Sequence, residues 1–144
     1  MDFSDFITHH GKRVAKDAFI HLVQVSRIDG KIHKDELDLL HKEGKKFGLT
    51  DPEIDKFINS EKDHHYTPPY SLEEKYEHLH DIAEMILADD EVSEKETRMI
   101  RRFAIEAGFN DSKIDGLMKI LLDGVKNNTG EEELFRKFRE YILS

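Results

Sequence analysis

Two stretches of this chain match at a fixed offset of sixty residues, without a gap. Asp29-Gly30-Lys31-Ile32-His33-Lys34-Asp35-Glu36 lies over Asp89-Asp90-Glu91-Val92-Ser93-Glu94-Lys95-Glu96. The match continues beyond these acidic segments. Gly48 falls on Gly108, Asp51 on Asp111, Ile54 on Ile114 and Asp55 on Asp115. Similar residues fill the spaces, with Ile32 over Val92, Leu39 over Met99, Leu40 over Ile100, Leu49 over Phe109 and Phe57 over Leu117. A repeat of fixed period constrains a fold more than any local propensity, because both copies must form the same supersecondary unit. The expected organisation is one domain over residues 1–144, with copies at 12–60 and 72–123, a linker at about 61–70 and a last helix at about 130–143.

The apolar spacing within each copy is helical. Val14, Ala15, Ala18, Phe19, Leu22 and Val23 predict a helix from Lys12 to about Ile28. Asp29-Gly30 supplies a turn, and a helix from about Lys34 carries Leu37, Leu40, Gly44 and Phe47 on one face. Gly48-Leu49 reads as a helix stop, with glycine in the left-handed conformation and a hydrophobe just beyond. Asp51-Pro52 restarts a helix that carries Ile54, Phe57 and Ile58. In the second copy Ser71 with Glu74 predicts a capping box ahead of the stripe Leu72, Tyr76, Leu79, Ile82, Ala83 and Ile86. Ser93 with Glu96 predicts another, followed by Ile100, Phe103, Ala107 and a stop at Gly108-Phe109. A helix with Ile114, Leu117, Met118 and Leu121 follows, then a break at Asn127-Asn128-Thr129-Gly130 and a helix with Leu134, Phe135, Phe138 and Ile142. Phe3, Phe6 and Ile7 form an apolar lead-in. No stretch alternates with the period of a strand, so the fold class is all-α, a bundle of two pseudo-symmetric halves with about seven to eight helices.

Composition removes several function classes. The chain has no cysteine, which excludes disulfides and thiolate metal sites. Its net charge is −9, from 31 acidic and 22 basic residues, a balance that repels phosphate backbones and disfavours nucleic-acid binding. The start lacks the basic and apolar regions of a signal peptide, and no window has the roughly 20 apolar residues of a membrane span. The expected location is cytoplasmic, without direct membrane insertion.

The acidic loops admit two readings. Asp-Gly-x-Ile-x-x-x-Glu resembles the second half of an EF-hand loop, but the first-half ligand positions fall on Val25, Arg27, Met85 and Leu87. A full EF-hand is therefore excluded. Carboxylates at a turn can still hold a hard cation such as calcium or magnesium, and the candidate ligands are Asp29, Glu36, Asp89, Asp90 and Glu96. That reading needs Asp89 and Glu96 on an open surface. Its rival assigns Glu96 to the capping box, Glu36 to the matching third helical position, and Asp29-Gly30 to an ordinary turn. The second loop is the richer in carboxylates, since Lys31, His33 and Lys34 dilute the first.

The duplicated helix–acidic turn–helix unit, over about residues 12–123, resembles the tellurite-resistance TerB-like family. Related domains occur at the membrane-proximal end of DjlA-type J-domain co-chaperones. The resemblance implies a helical bundle of two similar halves, with a cation-binding feature at positions matching Asp29, Glu36, Asp89 and Glu96. It further implies a non-enzymatic accessory role in bacterial stress response, with protein partners that include a membrane-associated complex, and so a peripheral place at the inner membrane. The chain departs from the pattern where Asp90 takes the place of the turn glycine, and in the basic residues of the first loop.

An alternative from another class is a metal-dependent hydrolase of the HD type using His80-Asp81, which would need further histidines and an aspartate converging on one ion. The residues one period earlier, Ile20 and His21, do not repeat the pair. His64-His65 falls in the linker, His9-His10 at the terminus, and His33 and His41 read as surface positions. A third reading is a purely structural adaptor in which the acids only cap helices.

Overall fold

The structure is a computed structural model that describes residues 17–27, 32–46, 48–60, 66–89 and 91–144. The expected lead-in at Phe3–Ile7, the Asp29-Gly30 turn, Phe47 and His64-His65 lie outside the described residues. Every regular element among the described residues is helical, as the apolar spacing requires. By packing, the chain divides into two compact units, 1–65 and 66–144.

In the first unit a helix is described over 17–26 (α1), followed by α2 at Lys34–Lys46 and α3 at Asp51–Ser60. Its buried side chains include Phe19, Leu22, Val23, Leu40, Ile54 and Ile58. Gly44 makes the approach of α2 to its neighbours possible. A Cβ there would meet Ile54 Cδ1 at 2.7 Å and Phe19 at 3.4 Å. Thr50 and Glu53 form a reciprocal cap on α3, with Thr50 N–H donating to Glu53 Oε1 at 3.0 Å and Glu53 N–H to Thr50 Oγ1 at 3.3 Å. Among the described residues of this unit one charged group is fully buried. It is Glu43, with Lys46 Nζ 3.3 Å from its Oε2.

The second unit holds α4 at Leu72–Ile86, a single 3₁₀ turn at Leu87–Asp89, α5 at Glu94–Glu106, α6 at Asp111–Lys126 and α7 at Glu131–Leu143. Helix α6 packs against α4, α5 and α7, and α4 against α5 and α7. Their shared core includes Leu79, Ile82, Met85, Ile86, Ile100, Phe103, Ile114, Leu117, Leu121 and Phe138. Each fully buried side chain of this size contributes about 1.5–3 kcal/mol of transfer free energy. An aromatic seam ties α7 in place, with Tyr76 5.1 Å from Phe135 and 5.3 Å from Phe138, and Phe109 edge-on to Phe138 at 5.6 Å. Ser71 caps α4 by accepting from Glu74 N–H at 3.1 Å, which is half of the expected box.

The sixty-residue offset reappears in the backbone. Helices α2 and α5 start and end sixty residues apart, as do the starts of α3 and α6 and the described ends of α1 and α4. Gly48 and Gly108 both take positive φ, 80° and 95°. Each closes its helix in the same way. Gly48 N–H donates to Lys45 C=O and Gly108 N–H to Ile105 C=O, both at 3.0 Å. Leu49 N–H reaches Gly44 C=O and Phe109 N–H reaches Ala104 C=O, both at 3.2 Å. The ends differ in length. Helix α3 has 10 residues, whereas α6 has 16 and is covered along its second half by Leu134 and Phe138 of α7. At Gly124 the two helices come close enough that a Cβ would lie 2.4 Å from Leu134 Cδ1.

Candidate functional site

Of the carboxylates expected to hold a cation, Asp29, Asp90 and the side chain of Asp89 lie outside the described residues. Glu36 and Glu96 are described, and both sit at the third position of their helices. Glu96 is fully buried. Its Oε1 accepts from Ser93 N–H at 3.0 Å, while Ser93 Oγ accepts from Glu96 N–H at 3.1 Å, a complete capping box. The expectation that Glu96 stands on an open surface is therefore corrected. Its carboxylate is engaged in starting α5, and Ile100 and Phe103 one and two turns on pull that face into the core. Glu36 is part-buried, and His33 occupies the capping position of α2, with its C=O accepting from Leu37 N–H at 2.9 Å. Thr97 N–H bonds Ser93 C=O at 3.0 Å in the same way one period later.

His41 is not a bare surface position. Its ring spans two carboxylates of α3, with Nδ1 2.6 Å from Asp51 Oδ1 and Nε2 2.8 Å from Asp55 Oδ1. Lys45 Nζ adds a contact to Asp51 at 3.1 Å, and the His41 and Lys45 contacts hold the Asp51 carboxyl below its usual range. One period later Arg101 pairs with Asp115, so a basic residue on the first helix bridges to the same carboxylate position on the second in both copies.

The third place is the cluster around His80 on α4. His80 is 4% exposed, and its Nδ1 lies 3.5 Å from Glu84 Oε1, one turn on, and 3.4 Å from Glu131 Oε1 at the start of α7. Both distances are long for hydrogen bonds. Asp81 joins them. His80, Asp81 and Glu84 can each offer one ligand atom within 4.8 Å of the others, and no other group of this kind occurs among the described residues. The cluster borders an open cleft of about 480 Å³ whose lining includes Lys126, Asn128 and Thr129 from the α6–α7 connection. Tyr76 lies beneath it, with its ring 5.5 Å from that of His80 and its hydroxyl 3.5 Å from the Glu131 carbonyl. Burial pushes the Tyr76 phenol well above its ordinary range, and the charges of Glu131, Glu84, Asp81 and Glu77 push it the same way. The sequence pairs His80 with Asp81, but only the packing of α7 on α4 brings Glu131 to them.

Two further groups have displaced proton affinities without forming a site. Burial raises the Tyr66 phenol to about 12, and burial lowers His78, whose Nδ1 lies 3.1 Å from the Tyr66 hydroxyl. No helix among the described residues is long and apolar enough to cross a membrane. Compared with known protein families, curated proteins and solved structures, the chain matches none of them.

Proposed function

We propose that this chain is a non-enzymatic accessory module of stress response, of the TerB-like kind, acting through protein partners in the cytoplasm and at a membrane-associated complex. One observation carries the reading. The helix–glycine stop–helix joint recurs at the sixty-residue offset with the same backbone hydrogen bonds and a bridge from a basic residue to the same carboxylate position between its helices. The resemblance itself rests on the helix–acidic turn–helix unit just ahead of this joint; the repeated joint supports the doubled architecture that the resemblance implies, with two helices held together and their charged outer faces presented. The engagement of Glu96 in a cap favours loops that shape the joint over loops that chelate calcium or magnesium.

A hydrolase centred on His80 and Asp81 is the alternative. Against it stands the donor set of the cleft, where His80 is the single imidazole among the lining residues. The experiment is turnover of bis(p-nitrophenyl) phosphate by the full chain with manganese, zinc or ferrous ion. The expected result is no turnover above that of the metal alone. Turnover that His80→Gln removes would refute the proposal.

A further inference from the structure

We propose that His80, Asp81 and Glu84 of α4, together with Glu131 of α7, form a binding site for one divalent transition-metal ion of the zinc or manganese class. This site is separate from the acidic loops. It requires no catalysis, and it stands whether or not the module reading does.

The argument starts from the buried imidazole. His80 is 4% exposed, lines the cleft, and has only the long 3.4 and 3.5 Å approaches of two carboxylates at Nδ1; no hydrogen bond to its ring occurs among the described residues. With no hydrogen bond of ordinary length closed inside the protein, a ring that lines the cleft can still offer a nitrogen to a ligand there. The spacing fits an ion. Ligands about 2.1 Å from a tetrahedral zinc lie roughly 3.4 Å apart along each edge of the tetrahedron. The Nδ1 distances to Glu131 and Glu84 are 3.4 and 3.5 Å, so each carboxylate stands at one such edge length from the ring, and the exposed Glu131 side chain can swing toward an ion held by His80, Asp81 and Glu84. Asp81 Oδ lies within 4.8 Å of the His80 and Glu84 donors.

Donor chemistry selects the class of metal. Calcium and magnesium take oxygen ligands alone, whereas one imidazole with two or three carboxylates suits zinc, manganese, ferrous iron or cobalt. The local field agrees. Glu84 and Glu131 line the cleft, and Lys126 is the single lysine or arginine among its lining residues. Because Glu131 begins α7, an ion held here joins α4 to α7 across the 127–130 connection, where Asn128 already takes a left-handed φ of 56°. Metal binding should therefore stiffen the rim of the cleft.

The test is zinc calorimetry on the full chain, paired with manganese-induced broadening of amide signals. The expected results are one zinc per chain and broadening centred on residues 80–84 and 130–132. Glu131→Gln should weaken zinc roughly tenfold or more, and the Glu84→Gln, Glu131→Gln double variant further. These two side chains are exposed, so both variants keep the fold even if His80→Gln does not. Unchanged affinity in the double variant would overturn the proposal. So would broadening centred on residues 33–36 or 91–96, broadening centred on the other histidines, or no saturable binding below about 1 mM. Zinc bound here with phosphodiester turnover would leave this site standing and remove the non-enzymatic reading.

Discussion

Glutamine and alanine at position 96 separate a cap from a chelator. In the capping box, one Glu96 oxygen accepts the Ser93 N–H at 3.0 Å, and the whole side chain is buried. Glutamine keeps an oxygen at that place, and it is an accepted residue of the box. Alanine removes it, leaves a part-buried N–H without its acceptor at a cost of about 1–3 kcal/mol, and opens space next to the core. We therefore expect Glu96→Ala to lose about 2 kcal/mol and Glu96→Gln less than about 1 kcal/mol. For a chain of this size, 2 kcal/mol corresponds to a Tm lower by about 5–8 °C. The assay is thermal unfolding followed by circular dichroism, run once with EDTA and once with millimolar calcium. If Glu96 were a calcium ligand, removal of its charge would matter most. Both variants would then fall together, and by more in calcium than in EDTA. That outcome would refute the cap.

Three further expectations test the frame. Gly108→Ala, at φ 95°, should cost about 1–2 kcal/mol in urea unfolding from left-handed strain alone, and Gly48→Ala a similar amount; no loss at either would mean that the stops are not held in that conformation. Burial lowers His78 below its ordinary 6.5, so the stability it contributes is present above about pH 6.5 and is lost as pH falls from there. The urea midpoint should therefore drop between pH 7.5 and 5, and less steeply in His78→Phe; equal slopes would exclude this histidine as the source. His41→Arg should stay within about 1 kcal/mol of the parent, since Arg101 performs the same task one period later, whereas His41→Leu leaves Asp51 and Asp55 facing each other and should fall further in low salt than in 1 M salt.

The helices and their stops were legible in the sequence because their signals are local. Stripes at helical spacing, glycine followed by a hydrophobe, and Ser93 three residues before Glu96 each specify backbone within one turn. Thr50 with Glu53 carries the same capping signal, overlapping the Asp51-Pro52 start. Ser71 with Glu74 satisfies the pattern but forms only half, although the equally exposed Glu53 closes its own cap. His41 was readable in principle. The offset that places Asp55 on Asp115 also places His41 on Arg101, and a basic residue in both copies opposite the same aspartate signals a bridge. Glu43 gave no such warning, because the matching residue is Phe103, buried with no charge at all. The His80 cluster was only half legible. Its α4 members are neighbours in sequence, but Glu131 arrives through the docking of α7, and that depends on Phe135, Phe138 and the close approach at Gly124.

The matched glycine stops carry a consequence for how such a chain changes over generations. A joint held by main-chain hydrogen bonds at Gly48 and Gly108 asks little of the side chains around it. The two copies show how far that freedom extends, with histidine for arginine at 41 and 101, glutamate for phenylalanine at 43 and 103, and glutamate for lysine at 53 and 113. One copy can acquire a new charge, a buried acid or a ligand while the other keeps the angle between its helices. Inheritance of shape is thereby uncoupled from inheritance of chemistry, and a doubled unit becomes a place where a new binding group can be tried without losing the scaffold.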